Sequence, residues 1–316
     1  MPNSSYNFLA VENYISFVQK YGFDLIGRLF YTSAVMRRAI LHDMIKGRLT
    51  LTQFNMSEFG RRWSKDFDPP VSKEFMPVHL DVEAGKFECF LCPQDYENSY
   101  LGLAKQSGFN NTDVIPFEGF VMQQETAQKN QEIADALWQG VKAATPAATD
   151  NLKMIFDGYF KKIDDAVAAG NLTVTPTPGG ALTRANIIDV MEEMVLTINN
   201  AYRGQSIDVY VSPNTYLMYQ QAYRDKYKIH TIETSMGVTS LDFINFNLVK
   251  DPGMGDSQKI LMTPQNNMHI GFDDLDEVSM WNFEKEKRAI CMWSDFKVGV
   301  QFGRLEDGIV AVNDLA

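Results

Sequence analysis

The chain has 316 residues, 45% of them apolar, with a net charge of −11 and a pI near 4.9. Such a composition gives a globular protein with one large core or two ordinary ones and argues against disorder. The acidity argues against direct reading of DNA or RNA, which calls for a basic surface.

Three cysteines, Cys89, Cys92 and Cys291, are too few for a disulfide scaffold. The first residues, MPNSSYNFLAVENY, lack the basic region and apolar core of a signal peptide. No apolar run approaches the roughly 20 residues that span a bilayer. A protein made in a reducing cytoplasm, with no membrane partner, is the expectation.

In chain order, residues 6 to 46 predict helix, with stripes at Phe8, Val11, Ile15 and Val18 and again at Val35, Ile40, Leu41 and Met44, ending at Gly47. Asp68-Pro69-Pro70 breaks any helix. Phe75, Val78, Leu80 and Val82 then mix with polar residues. Glu83-Ala84-Gly85-Lys86 reads as a turn, and Phe87 to Cys92 alternates, so a β-hairpin with one wetter face is expected. From Val114 to Lys142 runs the longest helical pattern. Pro116 stands at its mouth, and Phe117, Phe120, Val121, Gln124, Ala127, Gln131, Ala134, Leu137, Trp138 and Val141 recur at steps of three and four.

Two more helices follow, Asp150 to Ala169 and Thr183 to Tyr202, separated by a Pro/Gly loop. Ile207 to Ser212 alternates as a strand, and Asn214 to Tyr227 is again helical. From Ile229 onward short strands dominate: His230–Glu233, Phe243–Leu248, Lys259–Thr263, Asn267–Phe272, Glu277–Phe283, Arg288–Trp293, Phe296–Arg304 and Gly308–Val312. No linker separates these blocks, so the fold class is α+β with interleaved domains.

Reaction chemistry is absent from the pattern. Cys89-Phe-Leu-Cys92 suggests zinc or redox work, but a zinc site needs two further ligands, and only His79 and the remote Cys291 offer themselves. In a strand the two cysteines point to opposite faces, which favours small, semi-buried residues. Asp273, Asp274, Asp276 and Glu277 lack the glycine and terminal glutamate of a calcium loop and read as a solvated turn. Gly299-Val-Gln-Phe-Gly303 lacks a phosphate-loop context and reads as a closely packed strand. No catalytic residue, cofactor or metal is expected; a metal-dependent enzyme using Cys89, Cys92, His79 and Asp273–Glu277 is the weakest reading.

The order of elements resembles the major capsid proteins of tailed bacteriophages, the HK97-type shell fold, from about Phe67 onward. FECFLCP with ENSYLG (Phe87–Pro93, Glu97–Gly102) looks like the family's extended E-loop returning to the body. Ile115–Phe120 through Leu137–Gly140 looks like the spine helix of its peripheral domain, and Ile207–Pro213 like the axial domain entering its central sheet. Asn267–Gly271 and Phe296–Val312 look like the closing strands. The resemblance implies a helical arm over 1–66, an E-loop hairpin and return over 67–113, a spine helix over 114–150, an axial domain over 151–266 and closing strands over 267–316.

It implies self-assembly into the hexamers and pentamers of an icosahedral phage or prophage head, built in the bacterial host cytoplasm and located in the virion. Scaffold, portal or decoration proteins would be partners, and the shell would enclose double-stranded DNA without sequence-specific binding. An encapsulin-like compartment is the alternative. Interface candidates are Lys73, Glu83, Lys86 and Glu88 around the hairpin, and Phe8, Tyr14 and Phe30 on the arm. Residues 1 to 60 are aromatic and apolar where some relatives carry a charged scaffolding segment, which looks like a retained arm. No covalent crosslink at Lys73 or Lys86 is expected.

Overall fold

A computed structural model describes residues 33–56, 62, 63, 65, 73–91, 117–147, 150–227, 239, 240, 246–273, 282–286 and 289–315. Its helices are α1 (Ala34–Arg38), α2 (Phe117–Gln139), α3 (Tyr159–Ala168), α4 (Ile187–Thr197), α5 (Asn200–Arg203) and α6 (Pro213–Tyr227). The strands are β1 (Ile40–His42), β2 (Arg48–Met56), β3 (Lys73–Asp81), β4 (Glu83–Leu91), β5 (Val174–Thr175), β6 (Ile207–Val211) and β7 (Thr239–Ser240). After them come β8 (Phe246–Lys250), β9 (Leu261–Pro264), β10 (Met268–Phe272), β11 (Asn282–Glu286), β12 (Ala289–Phe302) and β13 (Ala311–Asn313).

Among the described residues the strands form three sheets. β12 is the axis of a five-stranded sheet, antiparallel to β10, β11 and β4, with β1 added in parallel to β10. A six-stranded sheet has the order β5-β13-β9-β6-β8-β7. β6 at its centre is buried at every position, as expected of a strand covered on both faces. The third sheet is the β2–β3 hairpin, paired from Arg48↔Asp81 at its base to Met56↔Lys73 at its far end.

The hairpin is therefore not where the sequence pattern puts it. Glu83 to Lys86 is no turn; β4 runs through it paired to β12, and the partner of β3 is β2. Gly85 is small for a different reason: a Cβ there would lie 2.7 Å from the Phe296 ring. Its glycine admits a close-packed aromatic, not a chain reversal. The alternation along β4 holds, with Phe87 and Cys89 facing inward and Glu88 and Phe90 outward.

Other boundaries also shift. The N-terminal helical pattern ends at Arg38, and Ile40–His42 is a strand held by β10, a partner far away in sequence. The helix expected from Asp150 begins at Tyr159, after a short 3-10 turn at Leu152–Met154. The helix expected to run to Tyr202 divides at Ile198 and restarts with Asn199 capping the Ala201 N–H. The strands expected on either side of Ser294-Asp295 are one strand, because Ser294 is fully buried against α2 and Asp295 stands opposite Lys86. The expected strand His230–Glu233 lies outside the described residues.

Two cores result. One gathers α2, α3 and the five-stranded sheet around Trp138, whose ring meets Tyr159, Phe160 and Tyr210 at centroid distances of 5.4–5.5 Å. The other packs α4 and α6 on the six-stranded sheet through Ile187, Met191, Met194, Tyr219 and their neighbours. Of the expected helix stripe, Ala134, Leu137 and Trp138 are buried, but Ala127 and Gln131 face solvent, and Thr126, Lys129 and Ile133 face inward in their place. At the end of α2 the backbones of Gly140 and Gly158 meet, with the Gly158 N–H donating to the Gly140 carbonyl at 2.8 Å.

Buried carboxylates tie the chain's early segment to both cores. Asp251 accepts from the Ser33 hydroxyl and from the Val35 and Gly253 N–H groups at 2.8–3.1 Å. Asp208 on β6 accepts from Arg38 at 2.6 Å and from Asn247 at 3.1 Å.

Candidate functional site

Two surface features are built by specific packing. The first is the hairpin. Gly271 and Gly299 are paired directly across β10 and β12. Without side chains they leave a bare patch of sheet, and Ile45, Leu80 and Val82 sit on it as a small buried cluster. A Cβ at Gly299 would stand 2.9 Å from the Asp81 carbonyl carbon and 3.2 Å from the Val82 Cα. Further out, Gln301 donates to the His79 carbonyl at 2.8 Å, and Gln53 donates to the Gly303 carbonyl. The glycine-bearing strand Gly299–Gly303 thus serves close packing, and what it packs is the root of the hairpin.

Beyond that root the hairpin is exposed. Phe75 is 63% accessible, and Trp63, between the strands, is 83% accessible. Arg62 and Lys65 beside Trp63 are exposed as well.

The second feature is a groove of about 830 Å³ between the start of β4, the 142–155 loop and the middle of β12. Phe87, Leu152, Met154, Ile155 and Phe296 give it an apolar floor. Its rim is charged. Lys86 pairs with Glu88 at 2.8 Å, Lys297 with Asp273 at 2.7 Å, and Lys142 with Glu83. Such exposed pairs contribute about 0–1 kcal/mol each, so they shape the rim more than they stabilise the fold.

Of the interface candidates read from the sequence, Glu83, Lys86 and Glu88 all line this groove. They were expected at a hairpin tip and stand instead on the body. Lys73 lies on β3 opposite Met56, at the far end of the hairpin. Phe8, Tyr14 and Phe30 lie outside the described residues. Sequence reasoning passed over Trp63, whose signal was a lone tryptophan among Arg61, Arg62 and Lys65 in a polar stretch.

The residues considered for metal or redox chemistry are dispersed. Cys89 faces α2 and donates to Glu125 at 3.1 Å; burial, helped by that carboxylate, pushes its thiol up to about 12. A thiol so held stays protonated and is a poor nucleophile or metal ligand at neutral pH. His79 is on the hairpin beside Thr50, and Asp273 is paired to Lys297. Cys92 and residues 274–277 lie outside the described residues. Among the described residues no three His, Cys, Asp or Glu side chains converge on a metal-sized point. One turn after Glu125, Lys129 is buried beneath α2, donating to Ser294 at 3.1 Å and lying over the Phe87 ring. Burial lowers its amine to about 8.

No protein-family model matches the chain, and no curated protein matches it. Solved structures do. A chain of the satellite phage P4 procapsid including size determination (Sid) protein superposes with a TM-score of 0.56 at 13% identity, covering 91% of this chain and 97% of that one. The capsid of the native GTA particle gives 0.57 at 11% identity, covering 89% of each chain. Microbacterium phage Oxtober96 gives 0.51 at 12% identity, covering 89% and 90%. At such identities the likeness is one of fold: the chain has a capsid-shell architecture. That architecture is the HK97-type fold, in its α+β form.

Proposed function

We propose that the chain is a structural shell protein, copies of which join as hexamers and pentamers into the icosahedral head of a phage or prophage. The observation that carries this reading is a fold shared over about nine-tenths of both partners with chains of the satellite phage P4 procapsid, the GTA capsid and Microbacterium phage Oxtober96. The exposed hairpin supports it, because a rooted arm with aromatic side chains in solvent is suited to lie on a neighbouring subunit. Obligate shell contacts bury on the order of 2,000–5,000 Å², assembled from many modest contacts. The E-loop of this reading is the β2–β3 hairpin, residues 48–81, and the spine helix is α2.

The head would enclose double-stranded DNA without reading its sequence, consistent with a net charge of −11. Scaffold, portal and decoration proteins would be its partners, and the bacterial host cytoplasm its place of assembly. The protein's role is structural, with no reaction assigned. Negative-stain electron microscopy with solution mass on the same sample tests this: shells, rings or hexamer sheets are expected. A monomer or dimer that persists at high concentration and with co-expressed neighbouring proteins overturns it. Shells filled with a protein cargo in place of DNA would move the reading to an encapsulin-like compartment.

A further inference from the structure

We infer that the groove beside β4 receives an extended basic segment of a separate protein, which adds to the open edge of β4 as a further strand and lays an apolar side chain on the groove floor. The inference goes beyond the shell reading and does not rest on it. The first observation is an edge. Glu83 to Glu88, consecutive residues of β4, all line the groove. Successive side chains of a strand point to opposite faces, so a groove that touches all of them runs along the strand's edge. β4 pairs with β12 on one side, and among the described residues no strand lies on the other. Such an open edge, about 20 Å long at about 3.3 Å per residue, is a template for an added strand.

The second observation is charge. The groove is lined by six carboxylates and three lysines. Lys86 is paired with Glu88, Lys142 with Glu83 and Lys297 with Asp273, so Glu132, Asp150 and Asp295 are the surplus. A strand bearing cations answers that surplus. A second copy of this chain would bring a net charge of −11 of its own, which makes it the poorer occupant. The third observation is the floor. Met154 is 42% accessible, and Val141, next to Lys142, is 52% accessible, so the groove and its margin keep apolar surface in water. The site is formed in advance. Phe87 stacks on Phe296 at 4.9 Å, and the Val141 and Ala143 N–H groups fix the loop wall by donating to the Lys153 and Met154 carbonyls at 2.7 and 2.8 Å. The incoming strand alone has to become ordered, which favours its binding.

The experiment titrates the full chain with a synthetic peptide, acetyl-Lys-Val-Trp-Val-Lys-amide, by calorimetry. One control peptide carries Glu in place of both Lys, and another has alternate backbone amides N-methylated. Saturable binding of the basic peptide is expected, weakening as salt is added, with none for the acidic control. Glu132→Gln combined with Asp295→Asn should weaken binding about ten-fold, and Asp295→Asn alone, at an exposed position, about three-fold. Amides of residues 83–88 should gain hydrogen-exchange protection when the basic peptide is bound. Absence of saturable binding, equal binding of the acidic control, or an affinity unmoved by the carboxylate variants would overturn the inference. Equal binding of the N-methylated peptide would overturn the added strand. Protection of residues 83–88 in assembled shells with no other protein present would make the occupant a second copy and overturn the separate partner.

Discussion

Replacing Gly299 with alanine is expected to loosen the root of the hairpin. The added Cβ would lie 2.9 Å from the Asp81 carbonyl carbon, about 0.6–1 Å inside ordinary carbon contact. The nearest obstructing atom is the Asp81 carbonyl oxygen, and it, the Asp81 carbonyl carbon and the Val82 Cα are all backbone, so no side-chain rotation relieves the clash. Overpacking of this kind costs about 1–3 kcal/mol. The upper bound is release of the root, which returns Ile45, Leu80 and Val82 to water at about 1.5–3 kcal/mol each. The cheaper route wins, so an apparent loss of about 1–3 kcal/mol is expected, concentrated in the hairpin.

Gly271→Ala is the internal control. Its Cβ would meet only side-chain ends of Ile45, Leu80 and Val82, at 2.8–3.1 Å, and these can move. Hydrogen exchange of the amides in 48–56 and 73–82, with urea unfolding of the same samples, measures the effect. Native protection in Gly299→Ala, or a larger loss in Gly271→Ala, would refute the backbone-on-backbone seat.

Arg38→Ala should cost about 3–5 kcal/mol in denaturant unfolding, because Asp208 is fully buried and would lose the cation paired with it. His42 and His269 approach to 2.9 Å, and burial, with His42 adding to it, holds His269 at about 4, against 6.5 ordinarily. The folded chain thus disfavours protonation, so Tm should be steady above pH 6.5 and fall as the pH drops toward 4; a flat profile in that window would contradict this. Lys129 has the opposite window. The fold releases its proton near 8 and the unfolded chain near 10.5, so stability gains between those values, and Lys129→Met should abolish the gain in a pH series of urea midpoints.

How far the fold could be read from the chain depended on whether each signal was local. A long helix within 114–142, the strand–proline–helix sequence from Ile207 to Tyr227 and the inward–outward alternation of β4 all rest on spacing within one element, and the structure has them, the helix as Phe117–Gln139. Non-local pairing was not legible. Nothing near Ile40 announces that its partner is His269, or near Leu49 that its partner is Leu80. Gly85 misled because the same residue that permits a turn also permits a ring to lie on the backbone, and only the distant Phe296 decides between them. Ser294-Asp295 looked like a break because the polar contact that buries Ser294 comes from Lys129, on another element. Of the candidate site, the charged residues of β4 could be named but not placed, and Trp63 carried no periodicity to single it out.

The central place of β12 in one sheet and of β13 in the other sets an order of events during synthesis. β4, β10 and β11 have no common partner until residues 289–302 are made, and β5 and β9 are joined only by residues 311–313. A growing chain on the ribosome therefore carries two unfinished sheets whose edges cannot close early, whatever its neighbours on the same polysome are doing. Non-local strands of this kind form late and slowly. Chains cut short before residue 289 would lack both β12 and β13. They would be left with open sheet edges, exposed to proteases.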